Sequence, residues 1–352
     1  MYSIDFSEGI VNIGDTTRLQ KAFEKARGGG KLSLAFLGGS ITAGCLSSVH
    51  EKCYAYLVYK WWCETFPDAT FEYINAGVGG TGSDFGVARV EEDVLSKNPD
   101  LILIEFSVND SQTDCFKETY EGLVRRCINS TNAAVMAFHN ICYDSGNSAE
   151  DMHFRVEKHY KIPAVSIRPT VYKALTEGRF EAKEITSDNL HPNDSGHLLL
   201  SCAIIRFLET VYRESTEKTS EYGRINDDLP KPVTLNRYEN ATLLREPGFT
   251  AFCKGEKMSW DVESNIVSVQ FVKTVCKPAP IARITVDGGK NGEAVLDANF
   301  DEDWGDCMYT VPVYADTDVS HHHIEIEIIK DHSEDAIKDK SPFKLLSLTV
   351  SR

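Results

Sequence analysis

The sequence predicts an α/β domain built on a doubly wound parallel sheet, followed by an antiparallel β-sandwich of jelly-roll type. Three observations carry that expectation. Five short, unbroken apolar runs alternate with helical patterns through residues 31–177, as strands covered on both faces require. A polar, turn-rich stretch, ESTEKTSEYGRINDDLPKP (214–232), then interrupts the alternation. Beyond it, apolar residues recur with period two between Gly, Asp and Asn turns, the pattern of half-buried antiparallel strands. The expected boundaries are residues 1–213 for the α/β domain, 214–232 for a linker and 233–352 for the β-domain. A chain of 352 residues exceeds one ordinary core, which agrees with two folding units.

The elements follow in order. DTTRLQKAFEKAR (15–27) sets Asp15 as a cap before Leu19, Phe23 and Ala26 at helical spacing, and stops at three glycines. The strands are then KLSLAFL (31–37), FEYIN (71–75), LILIEF (101–106), AAVMAF (133–138) and IPAVSI (162–167). Helical stretches lie near 50–66, 82–97, 116–129, 149–160 and 169–177, and Trp61 and Trp62 fall on the first of these as core residues. A last helix over 194–213 carries an apolar stripe. In the β-domain the strands are IVSVQFV (266–272), IARITVD (281–287), MYTVPVY (308–314), HIEIEII (323–329) and LLSLTV (345–350).

Composition narrows the partners. The net charge is −16, with no clustered Lys or Arg stripe, which argues against nucleic acid. No run approaches the ~18 apolar residues of a membrane span, and the N-terminus lacks a basic then apolar leader pattern. The ten cysteines show no CxxC pairs, and Cys63, Cys127 and Cys202 sit inside apolar helical patterns, so reduced thiols in a cytoplasmic protein are expected. A secreted chain whose leader has been removed is the alternative. The sequence leaves the oligomeric state open, a homo-oligomer included.

Chemistry enters at the strand ends. SDNLHP (187–192) places Asp188 and His191 in one turn, where a carboxylate can orient an imidazole that acts as a base. Ligands in open α/β sheets bind beyond the carboxyl ends of the strands. The first strand runs into LGGSITAG, which presents Ser40 at a helix start. The second runs into NAGVGGTG, where Gly80 can bring a bare amide close to a substrate, and the third into EFSVND, where Asn109 supplies a carboxamide. A hydroxyl, two backbone amides, a carboxamide and a histidine make a nucleophile, an oxyanion hole and a base, the set that acyl transfer uses. No cofactor or metal is called for.

These four blocks, in this order, resemble the SGNH (GDSL-type) hydrolases over about residues 30–212. The resemblance implies a flavodoxin-like sheet, Ser40 as nucleophile, His191 as base, Asp188 as its orienting acid, and the Ser40 amide, the Gly80 amide and the Asn109 side chain as oxyanion donors. Two positions depart from the pattern. Gly39 replaces the usual aspartate, which removes a turn contact, and Ser107 replaces the usual glycine, which adds a hydroxyl near the oxyanion donors. A hydrolase joined to a C-terminal β-sandwich looks like the carbohydrate esterases that deacetylate mannan or xylan fragments. The expected reaction is therefore deacetylation of an oligosaccharide, with Trp304, in the polar turn FDEDWGD, as a sugar-stacking residue and the β-domain as cover for the site.

Several readings compete. GVGGTG (77–82) satisfies a dinucleotide fingerprint, with Glu105 downstream for the ribose, but leaves Ser40, Asn109 and the Asp188/His191 pair without a task. The GGSIT stretch lacks the G-x-S-x-G of a nucleophile elbow. His321 and His323 face one side of a strand with Glu325 and Glu327, and His322 the other with Ile324 and Ile326, which reads as a solvated face and not a zinc site. His197 lies one helical turn into the next element and is expected to pack. A lipase or thioesterase on non-sugar acyl esters, and an inactive carbohydrate-binding protein, remain as alternative functions.

Overall fold

The computed structural model describes residues 4–217, 230–245, 248–331 and 341–352. By compactness the chain divides into two units: Met1–Gly86 with Val90–Thr234, and Val87–Arg89 with Leu235–Arg352. The expected linker falls largely on residues 218–229, outside the described residues, and the helix before it continues to Glu217.

The first unit opens with a short strand, Ile10–Asn12 (β1), and a helix, Thr17–Arg27 (α1), whose buried Leu19, Phe23 and Ala26 are the residues the spacing selects. Lys31–Gly38 (β2) is buried from its second residue on. It is followed by one turn of helix, Ser40–Ala43 (α2), then Tyr54–Thr65 (α3) and Thr70–Gly77 (β3). The alternation continues through Ser83–Asp93 (α4), Leu101–Glu105 (β4), Asp114–Ser130 (α5), Ala134–His139 (β5), Glu150–His159 (α6) and Ala164–Ser166 (β6). Lys173–Thr176 (α7) and Asp194–Glu217 (α8) complete the unit.

The sheet order is β1-β6-β5-β4-β2-β3. Five strands are parallel, as the sequence predicts, and β1 is a sixth that pairs antiparallel with β6 at the edge. Three half-buried residues are too few to show a period, so this strand leaves no sequence signal. From β2 the chain moves outward to β3 and then crosses back to β4, so the topological switch point lies between β2 and β4. The loops bearing Ser40 and Asn109 leave the carboxyl ends of those two strands, where ligands bind in open α/β sheets.

One apolar cluster lies between the sheet and α1, α3 and α8. Phe23 stacks on Trp62 at 4.7 Å, and Phe66 and Tyr212 pack against Phe23 and against each other. Leu200, Ala203, Ile204, Phe207, Leu208 and Val211 form the buried stripe of α8 at helical spacing. Each such Leu, Ile or Phe contributes roughly 1.5–3 kcal/mol relative to its exposed state.

In the second unit every strand pair among the described residues is antiparallel. The strands are Thr242–Leu244 (β7), Phe249–Ala251 (β8), Lys257–Lys273 (β9), Ile281–Val286 (β10), Gly292–Asp297 (β11), Cys307–Lys330 (β12) and Phe343–Ser351 (β13). Their order is β11-β10-β12-β9-β13-β7, with β8 also on β13. Leu296 of β11 and Phe249 of β8, from opposite ends of that order, belong to one buried cluster. That cluster is the core of the antiparallel unit, in keeping with the β-sandwich expected. On β12, His322, Ile324, Ile326 and Ile328 are buried while His321 and His323 are exposed, in the phase the sequence predicts. Among the described residues the ten cysteines are free thiols.

Candidate active site

The structure brings Ser40, Asp188 and His191 together from 151 residues apart in the chain, with Ser40 Oγ 2.8 Å from His191 Nε2. His191 Nδ1 lies 2.7 Å from Asp188 Oδ2. The other carboxylate oxygen, Oδ1, accepts hydrogen bonds from the amides of His191 at 2.7 Å and Leu190 at 3.0 Å. Partial burial pushes the Asp188 carboxyl up, and the hydrogen bonds from the His191 ring, the His191 amide and the Leu190 amide outweigh it, leaving it below the usual carboxylate value. Asp188 is thus ionised at neutral pH and holds the proton of His191 on Nδ1, with Nε2 free to accept from Ser40.

The turn that carries this pair is fixed from both sides. Asn189 takes a left-handed φ of +63°, which Asn tolerates, and its carbonyl accepts from the Tyr143 amide at 2.7 Å. Asn193 caps α8 by accepting from the amides of Ser195 and Gly196 at 3.0 and 3.1 Å. Two further ties join this region to the loop after Ser40. Asp194, at the first position of α8, accepts from the Ser48 amide and hydroxyl, each at 2.7 Å, and from Lys52 Nζ at 2.6 Å. Lys52 first, then Ser48, hold the Asp194 carboxyl down to about 2. His197 packs as expected: its Nδ1 accepts from the Tyr54 amide at 3.3 Å and its Nε2 donates to the Cys45 carbonyl at 3.1 Å. Burial pushes the His197 imidazole down to about 4, so it stays neutral and can do both.

The loops that bear the oxyanion candidates adjoin the segment that carries Ser40. Gly77 has no side chain because a Cβ there would stand 2.2 Å from the Ala43 amide nitrogen, so α2 rests directly on the end of β3. Asn75 holds that junction, donating to the Thr42 carbonyl at 2.8 Å and accepting from the Gly77 amide at 2.9 Å. Gly80 adopts a φ of +71°, a left-handed conformation suited to glycine. The neighbouring Gly79 is so close to the nucleophile that a Cβ on it would lie 3.8 Å from Ser40 Cβ.

Asn109 approaches from the other side. A Cβ on Gly39 would be 2.4 Å from Asn109 Oδ1, so no side chain fits at position 39 unless the carboxamide moves. The Ser107 hydroxyl is engaged by the backbone. It donates to the Asn140 carbonyl and accepts from the Asn140 amide, both at 2.9 Å, and so ties the end of β4 to the end of β5.

A buried polar network beneath Asn109 escaped sequence reasoning. Asp110 Oδ1 accepts from the Ser83 amide at 2.8 Å, and its Oδ2 lies 2.9 Å from His153 Nε2. Asp110 is therefore linked to Asn109 by the chain and to the Gly80 loop by a hydrogen bond. Tyr120 stacks on His153 with centroids 3.6 Å apart and donates to Glu157 Oε1 at 2.6 Å. His139 Nε2 completes the network, 2.9 Å from Glu157 Oε2. Burial pushes the Asp110 carboxyl up to about 7 and the His153 imidazole down to about 3, so burial favours the uncharged form of each group. The signal available in sequence was His153 and Glu157 four apart beside the apolar stripe of α6.

His139, His153 and Glu157 form a group of ligand types for a metal ion, with ligand atoms within 4.8 Å of one another. All three are buried, and their facing atoms are already hydrogen-bonded to Glu157, Asp110 and Tyr120. The dinucleotide reading fails on geometry. At the start of α4, where a pyrophosphate would sit, the Ser83 amide is occupied by the Asp110 carboxylate, and Glu105, offered for the ribose, is fully buried. Trp304 is 63% exposed and stands edge-on to Phe300.

Residues 36–199 match the GDSL-like lipase/acylhydrolase family. The chain is 44% identical to a two-domain esterase active on acetylated mannans, over 99% of this chain and 98% of that one, in a crystal structure with mannopentaose (TM-score 0.92). A second crystal structure of a two-domain esterase active on acetylated mannans gives 44% identity and a TM-score of 0.91, with 99% of each chain covered. An acetylxylan esterase of Geobacillus stearothermophilus is 24% identical over 202 residues, 49% of this chain and 92% of its own. A chain with this fold, matched along nearly its whole length to an esterase, belongs to the GDSL-like lipase/acylhydrolase family and is a carboxylic ester hydrolase.

Proposed function

We propose that the protein is a serine acetylesterase acting on acetylated oligosaccharides, mannan or xylan fragments, through an acyl-enzyme on Ser40. The observation that carries the reading is the hydrogen-bonded chain Ser40–His191–Asp188, with separations of 2.8 and 2.7 Å. As Ser40 Oγ attacks the acetyl carbonyl, His191 Nε2 takes the hydroxyl proton and Asp188 stabilises the imidazolium. The Ser40 and Gly80 amides and the Asn109 carboxamide are assigned to the oxyanion, each such donor contributing about 10²–10³ in rate. His191 then protonates the departing sugar oxygen, which leaves as a hydroxyl. A water activated by the same imidazole releases acetate.

The 44% identity to a mannan-active esterase supports a sugar as the alcohol portion. We assign Trp304 to sugar stacking, on the strength of its exposed indole. A cytoplasmic location, and hence imported oligosaccharides as substrate, completes the reading. The test is acetate release from acetylated manno- and xylo-oligosaccharides, compared with hydrolysis of butyryl and longer esters. Preference for the sugar acetates is expected; faster turnover of long-chain esters would replace this reading with a lipase or thioesterase. Trp304→Ala should raise KM for the oligosaccharide and leave p-nitrophenyl acetate unaffected.

A further inference from the structure

The antiparallel unit holds a second serine–histidine–carboxylate chain. Ser320 and His322 lie two apart on β12 and so share a strand face. Ser320 Oγ is 2.8 Å from His322 Nε2, and His322 Nδ1 is 2.6 Å from Asp287 Oδ2. These separations match those at Ser40, 2.8 and 2.7 Å. His322 is 2% exposed and its ring lies 4.4 Å from that of Tyr314, while Ser320 is exposed.

The carboxylate is held in place by the backbone. Asp287 has a φ of +54°, and Gly288 and Gly289 follow at +65° and +88°, so three successive residues are left-handed. For Asp this conformation costs roughly 1–2 kcal/mol and persists only where surrounding contacts fix it. Here Oδ1 accepts from the His323 amide at 2.8 Å and Oδ2 from Asn291 Nδ2 at 2.6 Å. Burial pushes this carboxyl up, and the hydrogen bonds from His322, His323 and Asn291 outweigh it, bringing it down to about 2. With His322 Nδ1 donating to the Asp287 carboxylate, Nε2 is left to accept from the Ser320 hydroxyl.

From this geometry we propose that Ser320 is a second nucleophilic serine, which takes an acyl group from short-chain activated esters. Ser320 Oγ forms a bond to the ester carbonyl carbon while His322 Nε2 removes the hydroxyl proton. The bond from that carbon to the leaving oxygen breaks, the proton passes from His322 to the leaving alcohol, and an O-acyl serine remains. No oxidant, reductant or further co-reactant is required. Short acyl groups fit because residues 315–321 are all exposed and offer no wall to a longer chain. The flanking sequence ADTDVSHHH has neither a glycine loop nor an asparagine to serve as Gly80 and Asn109 would at Ser40. Since each missing oxyanion donor lowers the rate about 10²–10³-fold, Ser320 acts as a slow acyl acceptor.

The test uses the full-length Ser40→Ala variant, so that it is independent of the Ser40 reading. The protein is incubated with p-nitrophenyl acetate and acetylated positions are followed by peptide mass spectrometry. Ser320 should acquire acetyl at least about 100-fold faster than the exposed Ser259, the scale of general-base assistance. Adding His322→Gln or the near-isosteric Asp287→Asn should remove that advantage, with the thermal midpoint of each variant checked for a folded β-domain. Labelling of Ser320 no faster than Ser259, or equally fast in a folded Asp287→Asn protein, would overturn the proposal.

Discussion

Replacing Gly39 with alanine isolates the placement of Asn109. The glycine is not needed for its backbone, because its φ of −88° is open to any residue. It is needed for space: an alanine Cβ would lie 2.4 Å from Asn109 Oδ1 and 3.1 Å from Asn109 Cγ. Ordinary contact begins near 3.4 Å, so the carboxamide must retreat by about 1 Å, out of the 2.7–3.1 Å range that an oxyanion donor requires. Loss of one such donor costs about 10²–10³ in kcat, roughly 3–4 kcal/mol. The assay is kcat and KM on p-nitrophenyl acetate for Gly39→Ala, Asn109→Ala and the double variant. Gly39→Ala should lose kcat on that scale with little change in KM. The double variant should be no worse than Asn109→Ala alone, because both changes remove the same interaction. Near wild-type kcat in Gly39→Ala, or losses that multiply in the double variant, would refute the reasoning.

Glu105 supplies a pH test of stability. Burial pushes its carboxyl up to about 7 from an ordinary value of 4.5, so the unfolded chain releases this proton at lower pH than the folded protein does. Stability therefore falls as pH rises from about 4.5 to about 7, by about 3 kcal/mol for this group, and changes no further above that window. In urea unfolding, Glu105→Gln should lose about that much less between pH 5 and pH 8 than wild type; an equal loss in both would contradict the assignment. Asp110→Ala strips the partners from the Ser83 amide and His153, at a cost of about 1–3 kcal/mol for each group left buried. Because Asp110 links the Asn109 and Gly80 loops, kcat should fall more than KM rises. Asp110→Asn, which keeps an acceptor for Ser83, should recover most of the loss, and failure to do so would sink the positioning role.

What the sequence disclosed follows from the range of each signal. Ser40, Gly80, Asn109, Asp188 and His191 stand at strand ends or in a tight turn, where glycines and polar residues interrupt apolar runs, so their positions could be read locally. The phase of His321, His322 and His323 was legible for the same reason, since strand period two needs only a few residues. Contacts made across the fold were not legible. Asp110, Tyr120, His153 and Glu157 come from a loop and two helices, and nothing in one helix says that its buried polar residue meets a partner from another. The crowding of Gly39 comes from Asn109, 70 residues away, and the engagement of Ser107 lies in the Asn140 backbone. Ser320 and His322 could be placed on one strand face, but Asp287 reaches them only through the left-handed turn after β10. Strand β1 was missed because three half-buried residues carry no period.

The central claim is that the hydroxyl of Ser40 forms the acyl-enzyme. Its most direct test is rapid-mix mass spectrometry of wild type and Ser40→Ala with p-nitrophenyl acetate, alongside steady-state acetate release from an acetylated oligosaccharide. Acetyl trapped on the Ser40 peptide of wild type, with steady-state release in Ser40→Ala reduced by about 10⁴ or more, is the expected result. Retention of wild-type turnover by a folded Ser40→Ala protein would contradict it.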